Sequence, residues 1–187
     1  MIKKIASAIY ILRKIKHKIN YVTALKLYDT LIASHLIYCN LAWGMTYKSY
    51  LDPIIKLQKR ALRICLSMKS TKVCTKTPFV TANRLSVLNI YKKQSMCLIF
   101  DWYNNKRTFP ESIYGLFTKT QQIHSHSTRQ VDHLSLFTHS SSIVVRSNSL
   151  KIFAPFLWNS IPLNIKLLPS SFAFKKGYSI YLQNGDL

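Results

Sequence analysis

Acidic side chains are scarce in this chain of 187 residues: 6 Asp and Glu stand against 27 Lys and Arg, which gives a formal net charge of +21 at pH 7. The carboxylates are Asp29, Asp52, Asp101, Glu111, Asp132 and Asp186. No two of them are adjacent or two positions apart, which argues against catalysis by metal ions held between paired carboxylates. A charge so far from zero makes a polyanion the expected partner.

Closely spaced cysteines are also missing. The four thiols are Cys39, Cys65, Cys74 and Cys97, and no two form a CxxC pair. Neither a zinc site nor a dithiol redox centre is therefore expected, and free thiols in a reducing compartment are the simplest interpretation. The histidines between residues 124 and 139 do not complete a tetrahedral metal site with these thiols, because their spacing does not match one.

Long apolar runs are absent as well. No stretch reaches the roughly 18 apolar residues that a bilayer-spanning helix requires, and the amino terminus has no apolar core that ends in a small-residue cleavage site. These absences predict a cytoplasmic or nuclear location. Hydrophobic residues nevertheless make up 48% of the chain and aromatic residues 12%, which is too much for a disordered basic tail. We expect one folded domain, or a helical part followed by a small second unit.

Apolar residues at helical spacing predict two helices at the start of the chain. Residues 2–19 carry Ile or Leu at steps of three and four, with basic side chains on the other faces, which is typical of an amphipathic helix. Residues 21–43 are apolar almost all round, which predicts a helix enclosed by other elements. Gly44 is the expected stop.

Two more helices are predicted before residue 105. The third covers residues 52–68, with Asp52 as its N-cap and Pro53 in its first turn. Its apolar face is predicted to contain Ile54, Ile55, Ala61, Leu62, Cys65 and Met68, and its opposite face carries Lys56, Lys59, Arg60 and Arg63. A connection over residues 69–82 leads to the fourth helix, over residues 84–103.

The pattern changes beyond Pro110. A polar stretch over residues 118–142 predicts a loop with at most one strand, and the β-branched residues 143–145 favour a short strand. Helices are predicted over residues 148–159 and 171–182. The last one has Ser170 or Ser171 as its cap, and its buried face contains Phe174, Tyr178, Tyr181 and Leu182.

The fold class predicted from these patterns is mainly α: a thumb-like helical bundle followed by a small, loop-rich α(+β) carboxy-terminal region. The predicted organisation is a helical region over residues 1–105, a polar linker over residues 106–146 and a helical segment over residues 147–187.

Three passages carry a resemblance to a known family. The first runs from Leu25-Lys26-Leu27-Tyr28 through Ser34-His35-Leu36-Ile37-Tyr38-Cys39 and Trp43-Gly44 to Leu57-Gln58-Lys59-Arg60-Ala61-Leu62-Arg63. The second is His126-Ser127-Thr128-Arg129. The third is Ala154-Pro155, Trp158-Asn159-Ser160-Ile161-Pro162 and then Ser171, Phe174-Lys175 and Tyr181-Leu182. In this order they resemble the region that follows the palm in reverse transcriptases of LINE-type non-LTR retrotransposons of the jockey and CR1 kind.

The resemblance implies a thumb, the helical subdomain that grips template and primer, and a post-thumb region. The catalytic Asp-Asp turn of the family is missing from this chain, so no catalytic residue is carried over and the chain is not expected to be an enzyme. No cofactor is implied for the chain, whereas the parent polymerase would require Mg²⁺. The implied partners are RNA and DNA as a template–primer duplex, with neither a membrane nor a small-molecule substrate.

The candidate nucleic-acid-binding residues are Lys14, Lys16, Lys18, Lys56, Lys59, Arg60, Arg63, Arg129 and Arg146. Cations at fixed spacing on a helix suit contacts to phosphates that do not depend on base sequence. A solvated basic face is the alternative for the lysines, and docking of a loop is the alternative for Arg129 and Arg146. Trp43 and Trp158 lie within apolar patterns and are predicted to belong to the core and not to stack on bases.

Three other interpretations remain open from the sequence. The chain could be an unrelated basic helical module that binds structured RNA, with an accidental resemblance. Its first helix could lie on anionic lipid. A degenerate insertion with no selected function is the origin that we favour.

Overall fold

The computed structural model describes residues 1–68, 77–123, 134–140, 142 and 148–185. The protein is mainly α-helical, which confirms the predicted fold class. Within the described ranges, β structure is confined to one isolated antiparallel bridge between Lys119 and Leu136. No helix in this described part is both long and apolar enough to cross a bilayer. Two compact units are present: unit 1 is Met1–Ile90 with Leu182–Leu187, and unit 2 is Tyr91–Tyr181.

Besides the end of a helix that lies mainly in unit 2, the described part of unit 1 contains six helices and the first turn of a seventh. They are α1 (Ile2–Ile15), α2 (Tyr21–Tyr28), α3 (Ser34–Ile37), α4 (Asn40–Trp43), α5 (Lys48–Cys65), α6 (Thr77–Ala82) and α7 (Val87–Tyr103). A 3₁₀ turn, Lys16–Lys18, follows α1, and a π-helical turn, Asp29–Ala33, joins α2 to α3. Helices α1 and α2 both pack against α5.

The core of unit 1 lies between α1, α5 and the helical run from α2 to α3. Ile5, Ile9 and Leu12 of α1 are buried, and so are Ile32 and Leu62. Fully burying an Ile or Leu side chain stabilises the fold by roughly 1.5–3 kcal/mol. The apolar stripe that predicts α1 from the sequence is thus buried inside unit 1.

The predicted helix over residues 2–19 is wrong in its last turn. Helix α1 ends at Ile15, and Ile19 is already extended. The reason is the next helix: Asn20 is its N-cap, and the Asn20 Oδ1 atom accepts a hydrogen bond of 2.8 Å from the Thr23 N–H. A cap of this kind requires non-helical backbone at Asn20 and so ends the preceding helix.

The predicted helix over residues 21–43 is interrupted near its end. Cys39 has a φ of 48°, which breaks the helix before α4. The buried Asn40 amide donates to the Leu36 carbonyl, and the Trp43 indole N–H donates to the Tyr38 carbonyl. These bonds satisfy carbonyls that the break leaves open. Gly44 does end α4, with a φ of −67° that other residues also adopt.

The third helix begins earlier than predicted, and the fourth begins later than predicted. Helix α5 starts at Lys48, so Pro53 lies inside it and Asp52 is not its cap. Burial of Leu51 in the core supplies a reason for the additional turn. The predicted connection over residues 69–82 contains α6. Helix α7 begins at Val87, because Ser86 precedes it and its hydroxyl accepts a hydrogen bond from the Asn89 N–H.

Within its described ranges, unit 2 contains the rest of α7 and four further helices. They are α8 (Glu111–Tyr114), α9 (Leu150–Asn159), α10 (Leu163–Lys166) and α11 (Ser171–Gly185), the last of which continues into unit 1. Aromatic rings form the core of unit 2: Phe174 stacks on Phe100 with centroids 4.3 Å apart and on Tyr178 at 5.7 Å. The buried Asp101 carboxylate accepts a hydrogen bond from the Ser171 hydroxyl and pairs with Arg107.

The carboxy-terminal predictions have mixed outcomes. Ser170 caps α11 as predicted, because its hydroxyl accepts a hydrogen bond of 3.1 Å from the Ala173 N–H. Phe174, Tyr178 and Leu182 are buried, whereas Tyr181 is 37% exposed and was wrongly assigned to the buried face. Helix α9 begins at Leu150, two residues later than predicted. The predicted strand over residues 143–145 lies outside the described residues.

Candidate nucleic-acid interface

Helix α5 is the most strongly amphipathic element of unit 1. One face packs into the core through Leu51, Ile54, Ala61, Leu62 and Cys65. Ile55 and Met68, which were predicted for this face, are only partly buried. A helix fixed along one side holds the opposite side at a constant orientation to solvent.

The opposite face of α5 carries four cations, Lys56, Lys59, Arg60 and Arg63, which we call the cation stripe. Spacings of three and four residues place them on one side of the helix. Lys56 and Arg60 are exposed, and Lys59 and Arg63 are half-buried. At 1.5 Å per residue the stripe extends for about 10 Å along the helix axis, the length over which the two strands of a duplex together present about six phosphates.

The cation stripe has no internal counter-ion among the residues that the structure describes. The two ion pairs found there are Arg84 with Asp29 and Arg107 with Asp101. Asp52 lies one turn before Lys56, but no ion pair joins them. The Nε atom of Arg63 is buried, and no described residue accepts a hydrogen bond from it. The charges of the stripe are therefore available to an external anion.

The second predicted group, Lys14, Lys16 and Lys18, does not form a helical row, because α1 ends at Ile15. Lys14 is exposed, with its Nζ atom 5.5 Å from the centre of the Tyr10 ring. Lys16 and Lys18 belong to the 3₁₀ turn. These lysines form a basic cluster at the carboxy-terminal end of α1, where positive charge is favoured by the helix dipole.

One electrostatic interaction relates this cluster to α5. Burial raises the pKa of the Cys65 thiol to about 11, and the positive charge of Lys16 opposes that rise. Lys16 therefore lies within electrostatic range of the last turn of α5. The Cys65 thiol itself is buried in the core and donates a hydrogen bond to the Ala24 carbonyl.

Arg129 and Arg146 lie outside the described residues, as does the whole His126-Ser127-Thr128-Arg129 passage. Their predicted contacts to phosphate remain predictions. His124, His126 and His133 lie there too. Within the ranges that are described, no group of three or more His, Cys, Asp or Glu side chains could hold a metal ion.

The Trp-Asn motif at the end of α9 has a structural role in unit 2. Trp158 is buried, which confirms its assignment to the core, and its indole N–H donates to the Leu134 carbonyl at 2.8 Å. The Asn159 side chain accepts from the Leu136 N–H and donates to the Leu136 carbonyl. The motif thus fixes the segment around residues 134–136. Trp43 is half-buried against the core of unit 1.

The sequence did not reveal the buried polar centre of unit 1. Gln58 is 1% exposed on the core face of α5, one turn from Leu62. Its Nε2 atom donates to the Tyr28 hydroxyl and to the Leu85 carbonyl, and its Oε1 atom accepts from the Val87 N–H. In the sequence, the only indication of this centre is the amide side chain of Gln58 within the apolar face of α5.

Comparisons of the chain with protein-family models, with curated proteins and with solved structures found no match in any of the three.

Proposed function

We propose that this chain binds nucleic-acid duplexes through the cation stripe of α5, as the thumb-like, non-catalytic part of a LINE-type RNA-directed DNA polymerase. The observation that carries the proposal is a row of four cations on a rigid helix with no counter-ion among the described residues. Phosphates are the complementary ligand, because they present negative charge at regular intervals along a strand.

The proposed binding positions the duplex and does not read base sequence. Lysine and arginine contacts to phosphates fix the orientation of a duplex but carry no sequence information by themselves. Such a surface suits a thumb, which must hold a template and primer of any sequence. The metal-binding carboxylates of the polymerase would belong to another part of the parent protein.

Two alternatives have less support from the structure. Lipid binding by α1 would require a free apolar face, but Ile5, Ile9 and Leu12 are buried within unit 1. A module specific for one structured RNA would need side chains that read base edges. The regular spacing of the four cations along one helix matches the regular spacing of phosphates, which favours binding without sequence readout.

A panel of labelled duplexes tests the proposal. We expect the full chain to bind an RNA–DNA hybrid, a double-stranded RNA and a double-stranded DNA in dilute salt. For each type of duplex, the affinities for two unrelated sequences should agree within a few-fold. Fluorescence anisotropy measures these affinities. Tight binding of a single folded RNA, with weak binding of all the duplexes, would instead support the RNA-specific module.

A further inference from the structure

A small cavity lies beside the cation stripe within unit 1. Its volume is about 190 Å³, and Lys59 of the stripe forms part of its wall. The rest of the wall is mainly apolar, with Ile55, Phe79, Val80 and Leu88 among the lining residues. Val80 is 43% exposed, so the cavity is accessible from solvent. A lysine of the cation stripe therefore lines a mainly apolar cavity beside the surface proposed to bind phosphates.

We propose that this cavity receives one unpaired nucleobase of the nucleic acid that lies along the cation stripe. The inference rests on the proposed function, because the stripe must hold the strand before a base can enter. A nucleobase is a flat, largely apolar ring joined through its sugar to a phosphate. The cavity offers the matching pair of features, a mainly apolar wall and a lysine of the cation stripe, Lys59, as part of that wall.

The charge at the cavity selects this occupant over a neutral apolar group. Lys59 has no ion-pair partner among the described residues, whereas Arg84, which also lines the cavity, is neutralised by Asp29 through two bonds of 2.8 and 2.6 Å. Insertion of a base therefore brings a phosphate towards the unpaired cation. Phe79 supplies the one aromatic ring among the described lining residues, and every base has a π-face that such a ring can contact.

The base must be unpaired, because a paired base is enclosed in the stack of the duplex. Extruding a base from an intact pair requires unstacking and unpairing, whereas a bulged nucleotide has already lost its partner. Duplexes that contain a single-nucleotide bulge should therefore be preferred over perfect duplexes. Besides Lys59 and Arg84, the polar residues at the wall are Ser86, Asn89 and Gln183, and their hydroxyl and amide groups are of the kinds that hydrogen-bond base edges.

The experiment compares three duplexes of the same sequence: a perfect one, one with a single-nucleotide bulge, and one whose bulged nucleotide is abasic. The abasic duplex keeps the extra phosphate and the bend but lacks the base. We expect the full chain to bind the bulged duplex about tenfold tighter than the abasic one, the size of effect that base stacking produces. Equal affinity for both, with clear binding of the perfect duplex, overturns the inference and leaves the proposed function intact.

Two variants test whether the unpaired base contacts Phe79 in the cavity. Phe79→Leu removes the aromatic ring but keeps an apolar side chain at a partly buried position, and Phe109→Leu makes the same change at a half-buried position of unit 2. The preference for the bulged base should fall to about twofold or less in the first variant and persist in the second. A preference that survives Phe79→Leu overturns the inference. If the wild-type chain binds none of the three duplexes, the proposed function itself fails.

Discussion

Replacement of Lys56, Lys59, Arg60 and Arg63 by Gln is expected to make the salt dependence of duplex binding much shallower. Each phosphate contact contributes about 0.9 to the slope of log K against log salt, so four lost contacts reduce the slope by about 3.6. Between 50 and 200 mM salt, the affinity of the wild-type chain should then fall roughly 100-fold further than that of the variant. Anisotropy titrations at four or five salt concentrations measure both slopes.

A matched variant separates the position of the charges from their number. Lys106, Lys151, Lys175 and Lys176 are exposed lysines of unit 2, and their replacement by Gln lowers the net charge by the same amount. The slope should change little in this control. Equal slopes for the two variants would mean that total charge, and not the cation stripe, determines binding.

The largest effect on stability is expected at Gln58. Gln58→Leu preserves the approximate size of the side chain but leaves the Tyr28 hydroxyl, the Leu85 carbonyl and the Val87 N–H without their partner. Each buried polar group without a partner costs about 1–3 kcal/mol, and we expect the variant to lose about 4 kcal/mol of unfolding free energy. Hydrogen exchange of the α5 amides measures the opening free energy of this part of unit 1.

A second substitution tests the cause of that loss. Gln58 donates a hydrogen bond of 2.9 Å to the Tyr28 hydroxyl. Burial raises the pKa of that hydroxyl above its ordinary value, and the hydrogen bond opposes the rise. Tyr28→Phe removes the hydroxyl that has no partner in the Gln58→Leu variant. The substitution should therefore lower the unfolding free energy less in the Gln58→Leu background than in the wild-type chain. Identical costs in both backgrounds would show that the Tyr28 hydrogen bond does not contribute to the loss.

The positions of the principal helices were predictable, because their apolar residues recur at helical spacing. The cation stripe was predictable for the same reason: Lys56 and Arg63 are placed on the same face of α5 by spacing alone. The core assignments of Ile5, Ile9 and Trp158 follow from the same periodicity and are confirmed.

The helix ends were harder to predict, because caps and burial determine them. Asn20 ends α1 by capping α2, and the left-handed Cys39 interrupts the second predicted helix. No repeating pattern identifies either residue. Burial of Leu51 extends α5 before Pro53, against the usual preference of proline for the first turn. The sequence also has no signal at residue 91, where unit 2 begins, since α7 runs through that point.

The polar centre and the cavity could not be predicted, because distant parts of the chain form them. Gln58 bonds to backbone groups of residues 85 and 87, and the cavity combines Lys59 with Phe79 and Gln183. These contacts exist only after α5, α6 and the end of α11 have come together in unit 1. Periodicity describes one helix at a time and contains no information about such neighbours.

Protection of individual lysines by a bound duplex tests most directly that phosphates lie along α5. The chain is acetylated briefly, with and without a saturating RNA–DNA hybrid, and the modification of each lysine is measured by mass spectrometry. We predict that the hybrid slows acetylation of Lys56 and Lys59 several-fold and leaves the exposed Lys175 and Lys176 almost unchanged. A bound hybrid that leaves Lys56 and Lys59 as reactive as in the free protein would contradict the account.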